Sequence, residues 1–395
     1  MKILGILVFA IALLLSVMIH EFGHYITAKK YGMRVSEFFL GFGKRIWSFT
    51  KGETEFGIKA IPAGGYCRIE GMTATDEMPA GEESRAFYKA NSGRKLVVLG
   101  AGSFLHFVIG FIILLIIFAG VGTAKPTTTI SQISPCVPQV NAACVDTDPR
   151  SPAQLAGLQV GDVITSLNGV EVNNWSKDVE VIRTSAGKEL LIGIQRNGVV
   201  QTIAVVPATR IIDGKKYGFL GIVNEFQLVR DAPITAVKNT FLVSWDFMTG
   251  SVKAIISLPS KIPALWGATV SGTERDPNGL VGIVGVAQVS GQAVSTENLS
   301  ASERIQTFLL IIASLNFFVG IFNLLPILPL DGGHMAVAIA DEIRALFARI
   351  RGKARPQGIN VNKLAPITVV VFALLAALTV LLLAADILNP VQLNL

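Results

Sequence analysis

Residues 3–24 read ILGILVFAIALLLSVMIHEFGH, an uncharged apolar run that ends in a cluster of ionisable side chains. From Ile3 to His20 the run has no Asp, Glu, Lys or Arg, and it approaches the ~20 residues that a helix needs to cross a bilayer. Secretory signals have shorter apolar cores of ~7–15 residues, followed by a small-residue cleavage site. We therefore expect a retained transmembrane helix.

This helix is predicted to end in His20-Glu21-Phe22-Gly23-His24, a spacing with direct chemical consequences. Residues four apart share one face of a helix, so the two imidazoles can bind one zinc ion. Glu21 lies between them and can act on a water molecule at the metal. Ionisable groups at membrane depth are costly without such a role. Catalytic zinc usually takes three protein ligands, so a third must come from elsewhere in the chain.

Three further uncharged runs define the architecture, and they extend from Leu96 to Ala124, from Ile305 to Leu330 and from Leu364 to Ala385. Of the 395 residues, 51% are hydrophobic and only 16% are charged, against about 25% in soluble domains. The sequence therefore predicts a polytopic α-helical membrane protein with about four transmembrane helices.

The formal net charge of +6 is concentrated in two short connections. Residues 25–95 carry 12 Lys and Arg against 8 Asp and Glu, and residues 335–363 carry 6 against 2. The long connection, residues 123–304, is neutral, with 15 of each sign. This positive-inside pattern predicts that the two basic connections are cytoplasmic and that both termini and the long connection lie outside. No basic patch with interleaved aromatic residues accompanies the charge, so we expect no nucleic-acid partner.

Two regions outside the spans predict β structure. Residues Gly41–Met72 alternate apolar and polar around a Lys51-Gly52 turn, which predicts a membrane-associated β-hairpin. An unpaired edge of this hairpin could accept an unwound peptide as an added strand, and an ordinary cytoplasmic hairpin is the alternative.

The long outside connection contains a Pro-initiated helix at Ser151–Leu158, a strand from Gly161 and an Asn168-Gly169 turn. This order resembles a PDZ domain of the bacterial type and predicts an inserted extracytoplasmic α+β domain. PDZ grooves bind extended peptides or C-termini, so the domain could recognise a peptide end or exclude bulky substrates. Cys136 and Cys144 lie eight residues apart here, and an oxidising exterior favours a disulfide between them.

Beyond this domain, residues 234–255 place apolar side chains at spacings of three and four, which predicts an amphipathic helix. It could pack on the outer face of the protein or lie in the lipid headgroups and guard an entry to the spans. Residues 277–296 lack charge but are rich in glycine, and we do not count them as a span.

Asp331 ends the third uncharged run, within Asn323–His334, NLLPILPLDGGH. The residues alone leave two roles open. Asp331 could be the third zinc ligand, or it could be the N-cap of a helix that follows it. His334 and His106 are the other histidines of the chain.

Taken together, HEFGH in the first span, a PDZ-like domain between the second and third spans, and NLLPILPLDGGH in the third resemble the site-2 protease family of zinc intramembrane metalloproteases. The similarity extends over essentially the whole chain. It is strongest to the bacterial branch that cleaves anti-sigma factors in regulated intramembrane proteolysis, in its single-PDZ actinobacterial form.

This resemblance implies His20, His24 and Asp331 as ligands of Zn²⁺, Glu21 as the general base, and Asn323 as a residue that holds the substrate backbone. The implied partners are single-pass membrane proteins such as anti-sigma factors, the lipid bilayer of the bacterial plasma membrane, and a peptide or C-terminus at the PDZ-like groove.

The chain departs from the family pattern at two candidate substrate-binding positions. The second span reads Gly102-Ser103-Phe104-Leu105-His106, which puts His106 where the family commonly has asparagine. We expect His106 either to orient substrate and reach toward the site, or to be a hydrogen-bonded histidine between helices. In the third span Phe318 occupies a second asparagine position, with Asn316 nearby, which leaves the role of Asn316 open.

The predicted organisation is a first transmembrane helix at 1–24, a cytoplasmic segment with the hairpin at 25–95, a second transmembrane helix at 96–122, the PDZ-like domain at 126–210, an extracytoplasmic amphipathic region at 211–303, a third transmembrane helix at 304–334, a cytoplasmic helix or loop at 335–363 and a fourth transmembrane helix at 364–386.

Two other functions fit parts of the pattern, namely a membrane-bound PDZ receptor with a structural metal and a metal transporter. Glu21 argues against both, because a structural site or a conduit needs ligands but no unliganded base between them. Transporters also tend to show repeated halves, which the sequence lacks.

Overall fold

A computed structural model describes residues 2–73, 75–138, 144–145, 147–212, 214–273, 275–276, 279–296 and 299–391. The chain forms two compact units. The membrane unit comprises Met1–Val121 and Asp231–Leu395, and the inserted unit comprises Gly122–Arg230.

The helices are α1 (Lys2–Lys30), α2 (Ser92–Ile116, continued by a π-helical turn Ile117–Val121), α3 (Pro152–Leu155), α4 (Trp175–Thr184), α5 (Pro233–Val270), α6 (Ile283–Ser295), α7 (Ala301–Asn323), α8 (Asp331–Ile350) and α9 (Ala365–Leu388). The strands are β1 (Val35–Lys51), β2 (Thr54–Ile69), β3 (Thr123–Ile133), β4 (Val163–Leu167), β5 (Val170–Glu171), β6 (Leu190–Arg196), β7 (Val199–Val205), β8 (Ala208–Ile212), β9 (Lys215–Phe219) and β10 (Ile222–Val229). Short 3-10 turns occur at Glu83–Arg85, Phe87–Lys89 and Val361–Leu364.

Among the described residues, five helices are long and apolar enough to cross a membrane, and these are α1, α2 with its π-helical turn, α5, α7 and α9. Each of the four predicted spans contains one of them. The third differs from its prediction of 304–334, because α7 ends at Asn323 and α8 begins only at Asp331. Pro326 and Pro329 lie in the gap, and proline lacks the N–H that a continued helix would need.

Helices α1 and α7 are each antiparallel to α2, so α1 and α7 run in the same direction. The contacts that establish this are Ser16 with His106, Gly23 with Ala101, Phe107 with Gly320 and Gly110 with Phe317. Helix α6 links the start of α1 to the end of α9, through Gly5 against Gly291 and the amide of Gly285, which donates to Asp386. The beginning of α1 and the ends of α2 and α9 therefore lie at one end of the bundle.

Helix α5 contains the predicted amphipathic segment and extends it to 38 residues. Just before it, the Asp231 amide donates to the carbonyl oxygen of Phe118 at the end of α2, at 2.9 Å. Near its last turn, the Ala268 carbonyl accepts from the side chain of Asn389 beyond α9, at 3.4 Å. Both ends of α5 therefore lie at the same end of the bundle.

The hairpin of β1 and β2 is longer than predicted and folds back on itself. Phe38 pairs with both Cys67 and Phe56, so residues 35–40 lie between two segments of β2. The resulting small sheet has residues 65–69 at one edge. This edge lies against α1, because a Cβ atom on Gly65 would meet the Met18 sulfur at 2.5 Å.

The inserted unit is an α+β domain whose main sheet has the order β10-β3-β4-β6-β7, with β5 paired to β4. Its core contains Leu190, Ile192 and Ile194 of β6, all fully buried. The predicted Pro-initiated helix is α3, where the Ser151 hydroxyl accepts from the amide of Gln154. The PDZ-like assignment of this unit stays a prediction.

The inserted unit extends beyond the predicted boundary at 210. Strand β10 pairs antiparallel with β3, so residues up to Arg230 belong to this unit and the amphipathic region begins after them. The local sequence could not reveal this pairing, because it joins segments about a hundred residues apart. Cys136 and Cys144 form a disulfide, with their Cα atoms 5.9 Å apart.

Candidate metal centre

Three side chains from two segments that are distant in the sequence come together in the membrane unit. The Nε2 atoms of His20 and His24 are 3.1 Å apart, and the Asp331 Oδ2 atom lies 3.3 Å from the first and 3.4 Å from the second. Both histidines are buried and Asp331 is half-buried. Within the described part of the chain, this is the one cluster of three His, Cys, Asp or Glu side chains that could hold a metal ion.

The donor atoms suit zinc, which binds imidazole nitrogen and carboxylate oxygen, and three protein ligands leave a fourth position open. The Nδ1 atom of His24 lies 2.8 Å from the carbonyl oxygen of Val98. If Nδ1–H donates to that carbonyl, the lone pair on Nε2 points at His20 and Asp331, as in metal-bound histidines. A cation between the three atoms would stabilise this arrangement.

Close backbone packing positions the ligands. His20, Glu21 and His24 lie near the end of α1, whose Gly23 packs against the backbone of Ala101 on α2. Asp331 is the first residue of α8 rather than its N-cap, and Leu330 holds the cap position without a side-chain hydrogen bond. The capping alternative for Asp331 therefore does not match the structure.

Two glycines bring the start of α8 close to the preceding loop. A Cβ atom on Gly332 would lie 2.3 Å from the carbonyl oxygen of Leu324, and one on Gly333 would lie 2.5 Å from the amide nitrogen of Leu328. Only glycine fits at these two positions. This close packing determines where along α1 the Asp331 carboxylate lies.

A family model described as "Peptidase family M50" matches residues 8–376. The chain belongs to peptidase family M50. It is similar to the zinc metalloprotease Rip1 of Mycobacterium tuberculosis, at 34% identity over 410 residues that cover 100% of this chain and 99% of the relative. Rip1 of Mycolicibacterium smegmatis is 36% identical over 408 residues, with 98% of each chain covered.

A more distant relative is the regulator of sigma-E protease RseP of Salmonella typhimurium. It is 25% identical over 427 residues, which cover 85% of this chain and 90% of the relative. These matches confirm the resemblance to site-2 proteases that the motifs predict. The protein is a zinc metalloprotease of this family.

Within this protease, Glu21 lies beside the ligand cluster but outside it. Its side chain faces the edge of the small sheet, where its Cγ atom would be 3.7 Å from a Cβ on Gly65. The carboxylate is thus held between the metal centre and an extended segment of backbone. This is a suitable place for a base that acts on a peptide lying along β2.

His106 and Asn316 meet in a buried polar cluster that also contains Ser16. Ser16 donates to the Asn316 Oδ1 atom at 2.6 Å, and the His106 Nδ1 atom lies 2.9 Å from the same oxygen. The ring of His106 lies 4.9 Å from that of His20, centroid to centroid. This geometry is the one expected of a hydrogen-bonded histidine between helices. The sequence analysis did not predict that Ser16 belongs to this cluster. Its position four residues before His20 places it on the same face of α1, and this spacing could have identified it.

Asn323 is the last residue of α7, and no hydrogen bond joins its side chain to His20, His24 or Asp331, all of which lie in the described part of the chain. Its side chain is half-buried at the break between α7 and α8. His334 lies three residues beyond Asp331 on α8 and is not part of the ligand cluster.

An ion-pair network attaches the hairpin to the end of α1. Glu53, at the hairpin turn, accepts two hydrogen bonds of 2.6 Å from Arg85 and also pairs with Lys29 of α1. The hydrogen bonds from Arg85, followed by those from Lys29, lower the pKa of Glu53 from 4.5 to about 2. The hairpin is therefore anchored five residues beyond His24.

Proposed function

We propose that this zinc metalloprotease is an intramembrane endopeptidase that cleaves transmembrane segments of single-pass membrane proteins. The observation that carries the proposal is the convergence of His20, His24 and Asp331 within helices whose outer surfaces are apolar and exposed. A metal centre enclosed by such helices is reached by a substrate that is itself in the membrane.

Each site residue has a proposed role. His20, His24 and Asp331 hold Zn²⁺, which when bound supplies Lewis-acid polarisation of the scissile carbonyl and acidification of water. Glu21 accepts the proton of the attacking water and delivers it to the leaving amine nitrogen.

A transmembrane helix must unwind before it can be cut, because its backbone is hydrogen-bonded internally. Residues 65–69 of β2 pair with residues 35–40 on one side, and their other side faces α1 and Glu21. We propose that the unwound substrate adds to this edge as a further strand, which would satisfy its backbone groups during cleavage.

Asn323, His106 and Asn316 are the predicted substrate-binding residues, and we propose different roles for them. Asn323 lies at the break between α7 and α8, where an unwound peptide would pass to reach Asp331. His106 and Asn316 already hydrogen-bond each other, so we propose that they hold the helices around His20 and leave direct substrate contact to Asn323.

The proposed topology has four net crossings, made by α1, α2, α7 and α9. Helix α5 starts and finishes at one end of the bundle, so it adds no net crossing despite its length. With the basic connections in the cytoplasm, both termini and the inserted unit would be extracytoplasmic in the plasma membrane of a bacterium.

The expected substrates are anti-sigma factors. One relative carries the name regulator of sigma-E protease, which connects that protein to sigma-factor control. The inserted unit would then contribute substrate selection outside the membrane, by binding a peptide end at its PDZ-like groove or by excluding bulky substrates.

The test uses purified full-length protein, a model single-pass peptide and zinc quantification in the same samples. The Glu21→Gln variant should keep its zinc and lose cleavage, because Glu21 is proposed as a base and not as a ligand. Glu171→Gln, on the exposed strand β5, is the matched control and should cleave like wild type. Cleavage by Glu21→Gln at the wild-type rate would contradict the proposal, and loss of zinc would show that Glu21 is a ligand.

A further inference from the structure

Helix α8 presents an apolar stripe to its surroundings. Five large apolar residues recur at spacings of three, four or one, and they are between 44% and 70% exposed. They are Ile339, Ile343, Leu346, Phe347 and Ile350. An exposed stripe on one face of a helix marks a surface that another apolar phase covers.

A cationic cavity adjoins this stripe. It has a volume of about 500 Å³, and Arg349, Lys353 and Arg355 line it together with Glu342 and Leu346. Leu346 belongs both to the cavity and to the stripe, so the two surfaces are continuous. Three cations face one carboxylate, and Glu342 is already engaged by Arg355 and Ser92, each at 2.8 Å.

The segment after α8 folds back onto the helix beside the cavity. The Asp341 carboxylate accepts from the Ile359 amide at 2.8 Å, and Arg344 donates to the carbonyl oxygen of Gln357 at 3.4 Å. These bonds hold the segment after α8 against the helix. They leave Arg349 and Lys353 without an ion-pair partner among the described residues.

We propose that this surface binds an anionic phospholipid of the cytoplasmic leaflet, with the phosphate in the cavity and an acyl chain on the stripe. The chain arrives from α7 and continues into α9, and Glu342 contacts Ser92, the first residue of α2. The cavity is thus level with the cytoplasmic ends of membrane helices, where headgroups lie. An acidic peptide would match the charge but not the adjoining apolar stripe.

Lipid binding here would act on the metal centre, and this consequence rests on the proposed function. Helix α8 starts with Asp331. The close packing of Gly332 and Gly333 against the preceding loop leaves its first turn no room to move. A lipid that holds the second half of α8 at the membrane surface would therefore hold the Asp331 carboxylate against the histidines. Asp331 is the ligand, and the lipid-binding residues would be positioning residues.

The test measures binding of phosphatidylglycerol to full-length protein in neutral lipid nanodiscs. The Arg349→Gln/Lys353→Gln double variant removes two cavity cations, and Arg351→Gln/Lys363→Gln removes the same charge from the same connection outside the cavity. Arg349 and Lys353 line the cavity and would contact the bound phosphate, whereas Arg351 and Lys363 lie outside it. Loss of two contacts of about 1 kcal/mol each corresponds to roughly thirtyfold weaker binding by the cavity variant, and we expect the control to weaken binding by no more than about threefold.

Further binding measurements distinguish the possible ligands. Equal weakening in both variants would show only a general charge effect and would overturn the proposal. Binding of inorganic phosphate or of a poly-glutamate peptide, without binding of phosphatidylglycerol, would also overturn it.

The consequence for the enzyme has its own readout. Phosphatidylglycerol should stimulate peptide cleavage by wild type and the control, but not by the cavity variant, at equal zinc content. If no protein cleaves while lipid binding behaves as expected, the proposed function fails and the lipid site stands. Stimulation of the cavity variant equal to that of wild type would overturn the link between lipid and metal centre.

Discussion

The imidazole of His20 rests directly on Gly102 of α2. A Cβ atom at Gly102 would lie 2.5 Å from the ring's Cε1 atom and 2.7 Å from Nε2, the atom that faces Asp331. Such distances are far inside van der Waals contact, so a side chain here would displace the ring. The position of a metal-site residue therefore depends on a residue of another helix.

Gly102→Ala should weaken zinc binding and cleavage together. Overpacking of this kind costs about 1–3 kcal/mol, which corresponds to roughly 5- to 150-fold in zinc affinity if the strain falls on the ligand. Gly100→Ala is the matched control, because its Cβ would lie an ordinary 3.7 Å from Met335. Zinc titration of both variants checks this, and equal zinc affinity in Gly102→Ala and wild type would contradict it.

Asp331→Ala should lose both metal and activity. A two-histidine site leaves zinc short of its usual three protein ligands. The Asp331→Asn variant separates metal binding from helix capping, because asparagine caps helices as well as aspartate does. Zinc content and peptide cleavage should both fall in this variant. A zinc-loaded, active Asn variant would move the third ligand to another residue, with His334 the first to examine.

Asn316→Ala should destabilise the protein without removing zinc. The substitution removes the acceptor that the Ser16 hydroxyl and the His106 ring share, although these two groups are 3.1 Å apart and can still bond each other. We therefore expect the cost of about one lost buried hydrogen bond, about 1–3 kcal/mol. Thr379→Ala, on the exposed face of α9, is the control and should change the unfolding temperature little. Unchanged stability with a large fall in kcat/KM would instead assign Asn316 to the substrate.

The Glu53 ion pairs should stabilise the hairpin above pH 4.5 and progressively less below it. The folded-state pKa is about 2 against an ordinary 4.5, so protonation on acidification opposes folding between these values. Because solvent screens these ion pairs, we expect them to contribute only about 1 kcal/mol. Unfolding temperatures of wild type and Glu53→Gln should differ at pH 6 and converge toward pH 2. A difference that persists at pH 2 would mean that the charge of Glu53 is not the cause.

Membrane-impermeant thiol reagents should distinguish the two sides of the membrane in intact cells. A cysteine at Asn168, on the inserted unit, should be labelled, and one at Lys51, at the hairpin turn, should not. Cys136 and Cys144 should resist alkylation until reduced, since they form a disulfide. Labelling only at Lys51 would reverse the charge-based topology.

The features that depend on local spacing can be predicted from the amino-acid sequence. A helix needs about 20 consecutive apolar residues to cross the hydrocarbon core of a bilayer. The segments that form α1, α2, α7 and α9 can therefore be recognised from their composition alone. The four-residue separation of His20 and His24 places both rings on one face of any helix that contains them. The family resemblance, which the comparisons confirm, rests on the same short motifs.

Which distant groups meet depends on how the chain packs in three dimensions. The break between α7 and α8, the fold-back of the β-hairpin and the pairing of β10 with β3 differ from or extend the predicted boundaries. The partners of His106 and the placement of Asp331 against α1 depend on the close approach of helices at glycines such as Gly102. Periodicity encodes which face of an element is apolar, but not which face of another element will cover it, because that is set by the packing of the whole chain.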